Sequence, residues 1–210
     1  MTMAQWRRRV GTTVAVATIC GFGVVGGAQA AEPAAQPAAR ATAAAAAGVD
    51  YGTWQRDVLK VTDEARPYLE QRIEQGAGEK QAIVLDIDNT SLETHFDPFP
   101  PTPAVKPVLD LAKYANDHGV AVFFVTARPD LIELVTKANL KSVGYPVAGL
   151  YQRSIGDLFG SPAEFKAAKR AQIEGLGYTI IANIGNNGTD FEGGHAERTF
   201  KLPDYDGQLS

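Results

Sequence analysis

Two aspartates at alternate positions close the apolar run in "AIVLDIDNT": Asp86 and Asp88 follow Ile83, Val84 and Leu85, with only Ile87 between them. In extended chain, residues i and i+2 point to the same face, so both carboxylates are expected on one side while Ile87 packs inward. Carboxylates that close repel unless one is protonated or a cation lies between them. Oxygen-only donors in a partly open shell suit a hard ion, foremost Mg²⁺. Asp190, in the later stretch "NIGNNGTD", is placed to complete such a set. Two plainer readings compete. Asp and Asn after a strand commonly just make turns, and "GNNG" is a turn signal by itself. A calcium loop would also alternate Asp86, Asp88 and Thr90, but Ser91 stands where that loop needs Gly, Asp97 replaces its final Glu, and a strand precedes it.

The elements that must position these residues alternate along the chain. Apolar residues from Tyr51 to Gln75 (Trp54, Val58, Leu59, Val61, Ala65, Tyr68, Leu69, Ile73) fall at helical spacing, with Pro67 expected to split the stretch into two helices. Then come a strand in "QAIVLDI", a helix over Val108–His118 stopped by Gly119, and a strand in "VAVFFVT". A helix in "DLIELVTKANLKSVG", a strand in "VAGLYQR", a helix in "PAEFKAAKRAQIEGLG" and a strand in "YTIIANIG" complete the series. Such alternation predicts an α/β, Rossmann-like parallel sheet with helices on both faces. Ligands of such sheets bind beyond the carboxyl ends of the strands, which here read "DIDNT", "VTARP", "YQRS" and "NIGNNGTD".

Composition narrows the function. Residues 1–30 hold Arg7, Arg8 and Arg9 and no acid, and the rest of the chain carries 17 basic against 24 acidic side chains, a net of −7. An acidic body without a basic stripe argues against nucleic acid as a partner. The basic start, the apolar segment from Val10 to Gly27 and the small residues of "AQAA" have the layout of a cleavable export signal ending at Ala30. That layout predicts a secreted or extracytoplasmic protein without stable membrane association after cleavage; the competing reading is a retained anchor. Cys20 lies inside the segment, so the mature chain would hold no cysteine and no disulfide. "GFGVVG" (21–26) matches the dinucleotide-binding glycine pattern but lies in the same segment, outside any βαβ unit. Residues 31–48, almost all Ala and Pro, are expected to form a linker, and 49–210 the folded domain.

From about Val49 to Pro203 the chain resembles the haloacid dehalogenase (HAD) superfamily, and within it the acid phosphatases related to the class B enzymes and to plant vegetative storage proteins. "LDIDNTSL" is similar to the first motif of that superfamily, DxDxT; "FFVTAR" to the second, a strand ending in Thr; "FKAAKR" to the third, which supplies a Lys; and "NIGNNGTD" to the fourth, GDxxxD. The resemblance implies a Mg²⁺-dependent phosphatase acting on small phosphomonoesters. Asp86 would be the nucleophile that forms an aspartyl-phosphate, and Asp88 the general acid and base. Thr126 and Ala127 would bind the phosphoryl oxygens with Lys166, and Asp86, Asp88 (through its carbonyl), Asn186 and Asp190 would hold the metal.

Lys169 and Arg170 compete with Lys166 but read as a solvated helix face, and Arg128 and Arg153 as surface ion pairs. The chain departs from the pattern at Asn186, where the fourth motif has an acid, and at Ala127, where Gly is common. The insertion "THFDPFPPTP" is too short for a cap domain, so a minimal cap and an open pocket are expected. His95, Phe96 and Phe99 would then either touch the leaving group or pack against the N-terminal helices. A non-catalytic storage or phosphate-binding protein that retains the fold is the alternative, suggested by Asn186. No oligomeric state follows from these patterns.

Overall fold

The structure is a computed structural model that describes residues 48–209. The expected export segment, and the linker except for its last residue, lie outside the described residues. Among the described residues no helix is long and apolar enough to cross a membrane.

Four α-helices and five strands make up the fold of the described residues, alternating as expected from the N-terminal helix to the fourth strand. They are α1 (Tyr51–Gln75), β1 (Gln81–Leu85), α2 (Lys106–Asp117), β2 (Ala121–Pro129), α3 (Glu133–Ser142), β3 (Gly149–Arg153), α4 (Pro162–Gly175), β4 (Thr179–Gly185) and β5 (Thr199–Lys201). The strands form one sheet in the order β3-β2-β1-β4-β5, and each neighbouring pair is parallel. The two-residue period of β1 divides its side chains between two cores. Ile83, Leu85 and Ile87 pack with Trp54, Val58 and Leu69 of α1, Val108 and Ala112 of α2 and Leu140 of α3. Ala82 and Val84 pack on the opposite face with Phe165 and Ile173 of α4. Continuing that parity, Asp86 belongs to the α4 side, which is the side from which Lys166 reaches it.

Two features differ from the sequence reading. Pro67 does not split the first helix: α1 runs unbroken through it. Pro67 and Asp63, whose carbonyl loses its helical donor, are both exposed, so water can take that carbonyl. The buried stripe of Trp54, Val58, Thr62, Ala65 and Leu69 continues across the proline. Burying each large apolar side chain contributes about 1.5–3 kcal/mol, and several together exceed the ~3 kcal/mol that an interior proline costs. The second difference is β5, three residues with only Phe200 buried, too short to leave a periodic signal.

The chain between β1 and α2 forms a loop rather than a cap domain. Asn139 of α3 pins it, accepting from Thr102 N–H and donating to Thr102 O, both at 2.8 Å. Tyr145 Oη donates to Ser91 O at 2.9 Å and supports the turn that follows Asp88.

Candidate active site

The carboxyl ends of β1, β2 and β4 converge with the first turns of α4 on a cavity of about 230 Å³. Asp86 and Asp88, Thr126 and Ala127, Lys166 and Asn186 line it, together with Pro162, Asn187, Thr189 and Leu209. Each wall has a local cause. After Leu85 the chain turns sharply, with Thr90, Ser91 and Leu92 N–H all donating to Ile87 O. Ser91 Oγ fixes the Asp86 carbonyl at 2.6 Å. The pairing of β2 with β3 shifts register between Val125 and Pro129, which frees Thr126, Ala127 and Arg128 from the ladder at the cavity edge. Helix α4 starts at a Ser161 cap with Pro162 in its first turn, so its positive N-terminal end adjoins the cavity.

Lys166 is buried and bridges two acids. Its Nζ donates to Asp86 Oδ1 at 2.8 Å and, in a still shorter contact, to Asp190 Oδ1. Asp190 does not line the cavity; its carboxylate is turned to Lys166 and accepts from Asn187 N–H at 2.8 Å. It fits there because residue 185 is glycine, since a Cβ at Gly185 would come within 2.2 Å of Asp190 Oδ2. Burial and the neighbouring Asp190 push the Asp86 pKa up to about 7, against the opposing pull of Lys166. Burial also works against the Lys166 ammonium, but Asp86 and Asp190 outweigh it and raise its pKa. Two acids share one ammonium, so this corner of the site is short of positive charge.

Asp88 is held differently. Arg128 grips it as a fork, Nη2 to Oδ1 at 2.7 Å and Nε to Oδ2 at 3.0 Å. Burial would raise the Asp88 pKa, but Arg128 prevails and holds it below the usual carboxylate value. The same guanidinium donates to Thr94 Oγ1 at 3.3 Å.

Several expectations are corrected. Arg128 makes an ion pair, but with a cavity carboxylate rather than on an outer surface. Arg153 makes no surface pair: it is buried and donates to the carbonyls of Asp157 and Gly160. Arg170 is not solvated: it lies one turn past Lys166 and donates to the carbonyls of Asp190, Glu192 and Gly194. Helix α4 thus holds Asp190 by its carboxylate through Lys166 and by its carbonyl through Arg170. Phe96 packs on Trp54 and Tyr51 of α1, with ring centroids at 4.8 and 5.0 Å. His95 and Phe99 are exposed, and none of the three lines the cavity. Arg128 stood in the strand-end string "VTARP", whereas Leu209, in the C-terminal tail, carried no sequence signal.

Among the described residues no three His, Cys, Asp or Glu side chains converge as a metal cluster. A hard cation would therefore depend on the Asp86 carboxylate, the Asn186 amide oxygen and main-chain oxygen. Those donors line one cavity, their chemistry suits Mg²⁺, and the charge shortage at Asp86 favours a cation there. The residues present fit the ion.

Parallel sheet, acidic strand end and facing lysine define an HAD-type α/β protein. The chain belongs to the HAD superfamily, subfamily IIIB (Acid phosphatase), whose family profile matches residues 21–97 and 101–208. It is similar to the Stem 28 kDa glycoprotein of Glycine max, 36% identical over 89 residues, which are 40% of this chain and 35% of that one. The Stem 31 kDa glycoprotein of the same plant is 36% identical over 89 residues, 31% of its length. The match thus spans about a third of these relatives. In fold, the chain is similar to the class C acid phosphatase from Bacillus anthracis with tungstate bound. The TM-score is 0.56 at 22% identity, over 69% of this chain and 67% of that one. The protein is acid phosphatase-like.

Proposed function

We propose that the protein is an exported, Mg²⁺-dependent acid phosphatase that hydrolyses small phosphomonoesters through an aspartyl-phosphate. The observation that carries this reading is Lys166 Nζ at 2.8 Å from Asp86 in a cavity that Asp88 and Thr126 also line. An Asp86 carboxylate oxygen attacks phosphorus as the bond from phosphorus to the ester oxygen breaks. Asp88, which can be protonated once the substrate's phosphate draws Arg128 away from it, gives that proton to the departing ester oxygen. Asp88 then takes a proton from water as that water attacks phosphorus, and the bond to Asp86 breaks to release inorganic phosphate. Thr126, the main chain at Ala127 and Lys166 bind the phosphoryl oxygens and offset their charge. Asp86, the Asp88 carbonyl and Asn186 would hold Mg²⁺, while Asp190 acts on the set through Lys166. When bound, the ion supplies positive charge to the phosphoryl oxygens and to Asp86. Export would remove residues 1–30.

A second reading, a non-catalytic storage or phosphate-binding protein, is favoured by the neutral Asn186. One experiment separates the two: p-nitrophenyl phosphate hydrolysis across a Mg²⁺ titration, with Asp86→Asn alongside. The expected outcome is metal-dependent turnover that falls by roughly 10⁴-fold or more in the variant. No turnover at any Mg²⁺ concentration would favour the binding protein, and full activity in Asp86→Asn would end the aspartyl-phosphate mechanism.

A further inference from the structure

Asn186 also has a partner outside the phosphate site. The Leu209 carbonyl accepts from Asn186 Nδ2 at 2.9 Å and from Asn89 Nδ2 at 2.7 Å, which fills both of its lone pairs. A carbonyl only accepts, so the Asn186 amide must present its NH₂ to the tail and its oxygen to Thr90 Oγ1, 3.2 Å away. A carboxylate at 186 would set oxygen against oxygen. The acid usual in the motif and this tail contact therefore exclude each other.

The tail itself is bent and tied down. Leu202 N–H donates to Gly185 O at 2.8 Å, where the tail leaves the sheet. Tyr205, Asp206 and Gly207 follow one another in the left-handed region, with φ of 50°, 56° and 83°. Asp and Gly tolerate that conformation, but for bulky Tyr205 it is unfavourable and persists only where the surroundings impose it. Tyr205 Oη donates to Asp57 Oδ2 at 2.8 Å, Leu209 N–H donates to Asp204 O at 3.1 Å, and the two asparagines hold the far end. Leu209, 1% exposed, then stands in the cavity wall with Pro162 and Thr189.

We propose that Asn186 is a positioning residue that latches residues 202–209 beside the cavity, so that Leu209 becomes a wall selecting phosphomonoesters with compact alcohols. The amide at 186 is the requirement of that latch, and metal binding through its oxygen is compatible with it. The selectivity half rests on the phosphatase reading above; the latch half does not.

The test uses the full chain and two variants, Asn186→Asp and Asn89→Asp. Each turns one donor to Leu209 O into an acceptor. Asn89 lies outside the expected metal set, and its aspartate keeps the oxygen that accepts from His95 N–H at 2.8 Å. Hydrogen exchange is followed in metal-free protein, and KM and kcat are measured with glycerol phosphate and with naphthyl phosphate. The expected result is exchange of residues 202–209 faster by about 10-fold or more in both variants, with β1 and β4 unchanged. The KM for naphthyl phosphate should fall relative to that for glycerol phosphate, with the kcat ratio of the two esters unchanged. Tail exchange at the wild-type rate in both variants overturns the latch. A loosened tail with unaltered KM ratios overturns the selectivity. Wild-type protein without turnover would remove the phosphatase reading and the selectivity with it, while exchange would still decide the latch.

Discussion

Asp86 and Asp88 are the same residue type, two positions apart, lining one cavity, yet they live in different media. The Asp86 side chain is 8% exposed and shares a buried ammonium with Asp190; the Asp88 side chain is 40% exposed and has Arg128 to itself. Burial and Asp190 drive the Asp86 pKa up, whereas Arg128 outweighs burial and drives that of Asp88 down. On protein groups alone the two shifts run against the proposed roles, since a nucleophile must be ionised and a general acid protonated; a cation beside Asp86 and a substrate phosphate competing for Arg128 would have to reverse them. Asp86 is fixed, poorly hydrated and in need of positive charge, as suits a group that forms a bond to phosphorus beside a cation. Asp88 is partly exposed and gripped by the Arg128 fork, so it takes up a proton only when that fork loosens.

The largest expected effect tests the buried side. Lys166→Met leaves Asp86 and Asp190 facing each other without the ammonium between them. Removing one partner from a buried charge cluster typically costs about 3–5 kcal/mol, to be read by urea denaturation of metal-free protein. Turnover of p-nitrophenyl phosphate should fall by roughly 10²–10³-fold, the scale of losing one charge-stabilising donor. Unchanged stability would show that Lys166 does not neutralise the pair.

A smaller effect is expected on the open side. Arg128→Ala leaves a carboxylate that is 40% exposed and can draw on water, so stability should fall by less than it does in Lys166→Met. Asp88 would lose the fork that orients it, and kcat/KM should fall by roughly 10²-fold, within the 10²–10⁴-fold range of a general acid's whole contribution. If the arginine variant unfolded as readily as the lysine variant, the contrast between a dry and a wet carboxylate would fail.

Much of this contrast could be read before the fold was known, and the reasons for the rest are physical. Asp86, Asp88, Thr126, Ala127 and Asn186 lie at or just past strand ends, a local property that the pattern of apolar runs reveals, whereas Lys166, inside α4, was singled out by the resemblance to the HAD motifs. What spacing could not supply was the reach of long side chains. Arg128 follows Thr126 by two residues, but its partner is Asp88, in the turn after β1. Arg170 shares the face of α4 with Lys166, yet a helical pattern cannot tell solvent from a cluster of carbonyls. Asp206-Gly207 is a turn signal, but the left-handed Tyr205 and the place to which the bend carries Leu209 have no counterpart in the local sequence. Pro67 was misread because propensity is local, whereas the stripe that holds α1 together spans the whole helix.

Glu93 supplies the control, a buried carboxylate with neutral donors and no cation. Tyr51 Oη donates to both of its oxygens, at 3.1 and 3.0 Å, and Gln55 Nε2 donates at 2.7 Å. Burial raises its pKa above the usual 4.5, Asp97 adds to the rise, and the two donors only partly oppose it. The folded protein therefore holds this proton more tightly than the unfolded chain. The resulting stability is fully present below pH 4.5 and is lost as pH rises through the higher folded value. Glu93→Gln keeps an oxygen for Tyr51 and Gln55 but cannot ionise. Thermal melts from pH 4 to pH 7 should thus show the variant gaining on the wild type as pH increases, the smallest of the three effects. A constant difference across that range would mean that Tyr51 and Gln55 fully offset the burial of the charge. Neutral donors would then suffice to keep a buried carboxylate charged, and the counter-charges would no longer explain why Asp88 stays ionised more readily than Asp86.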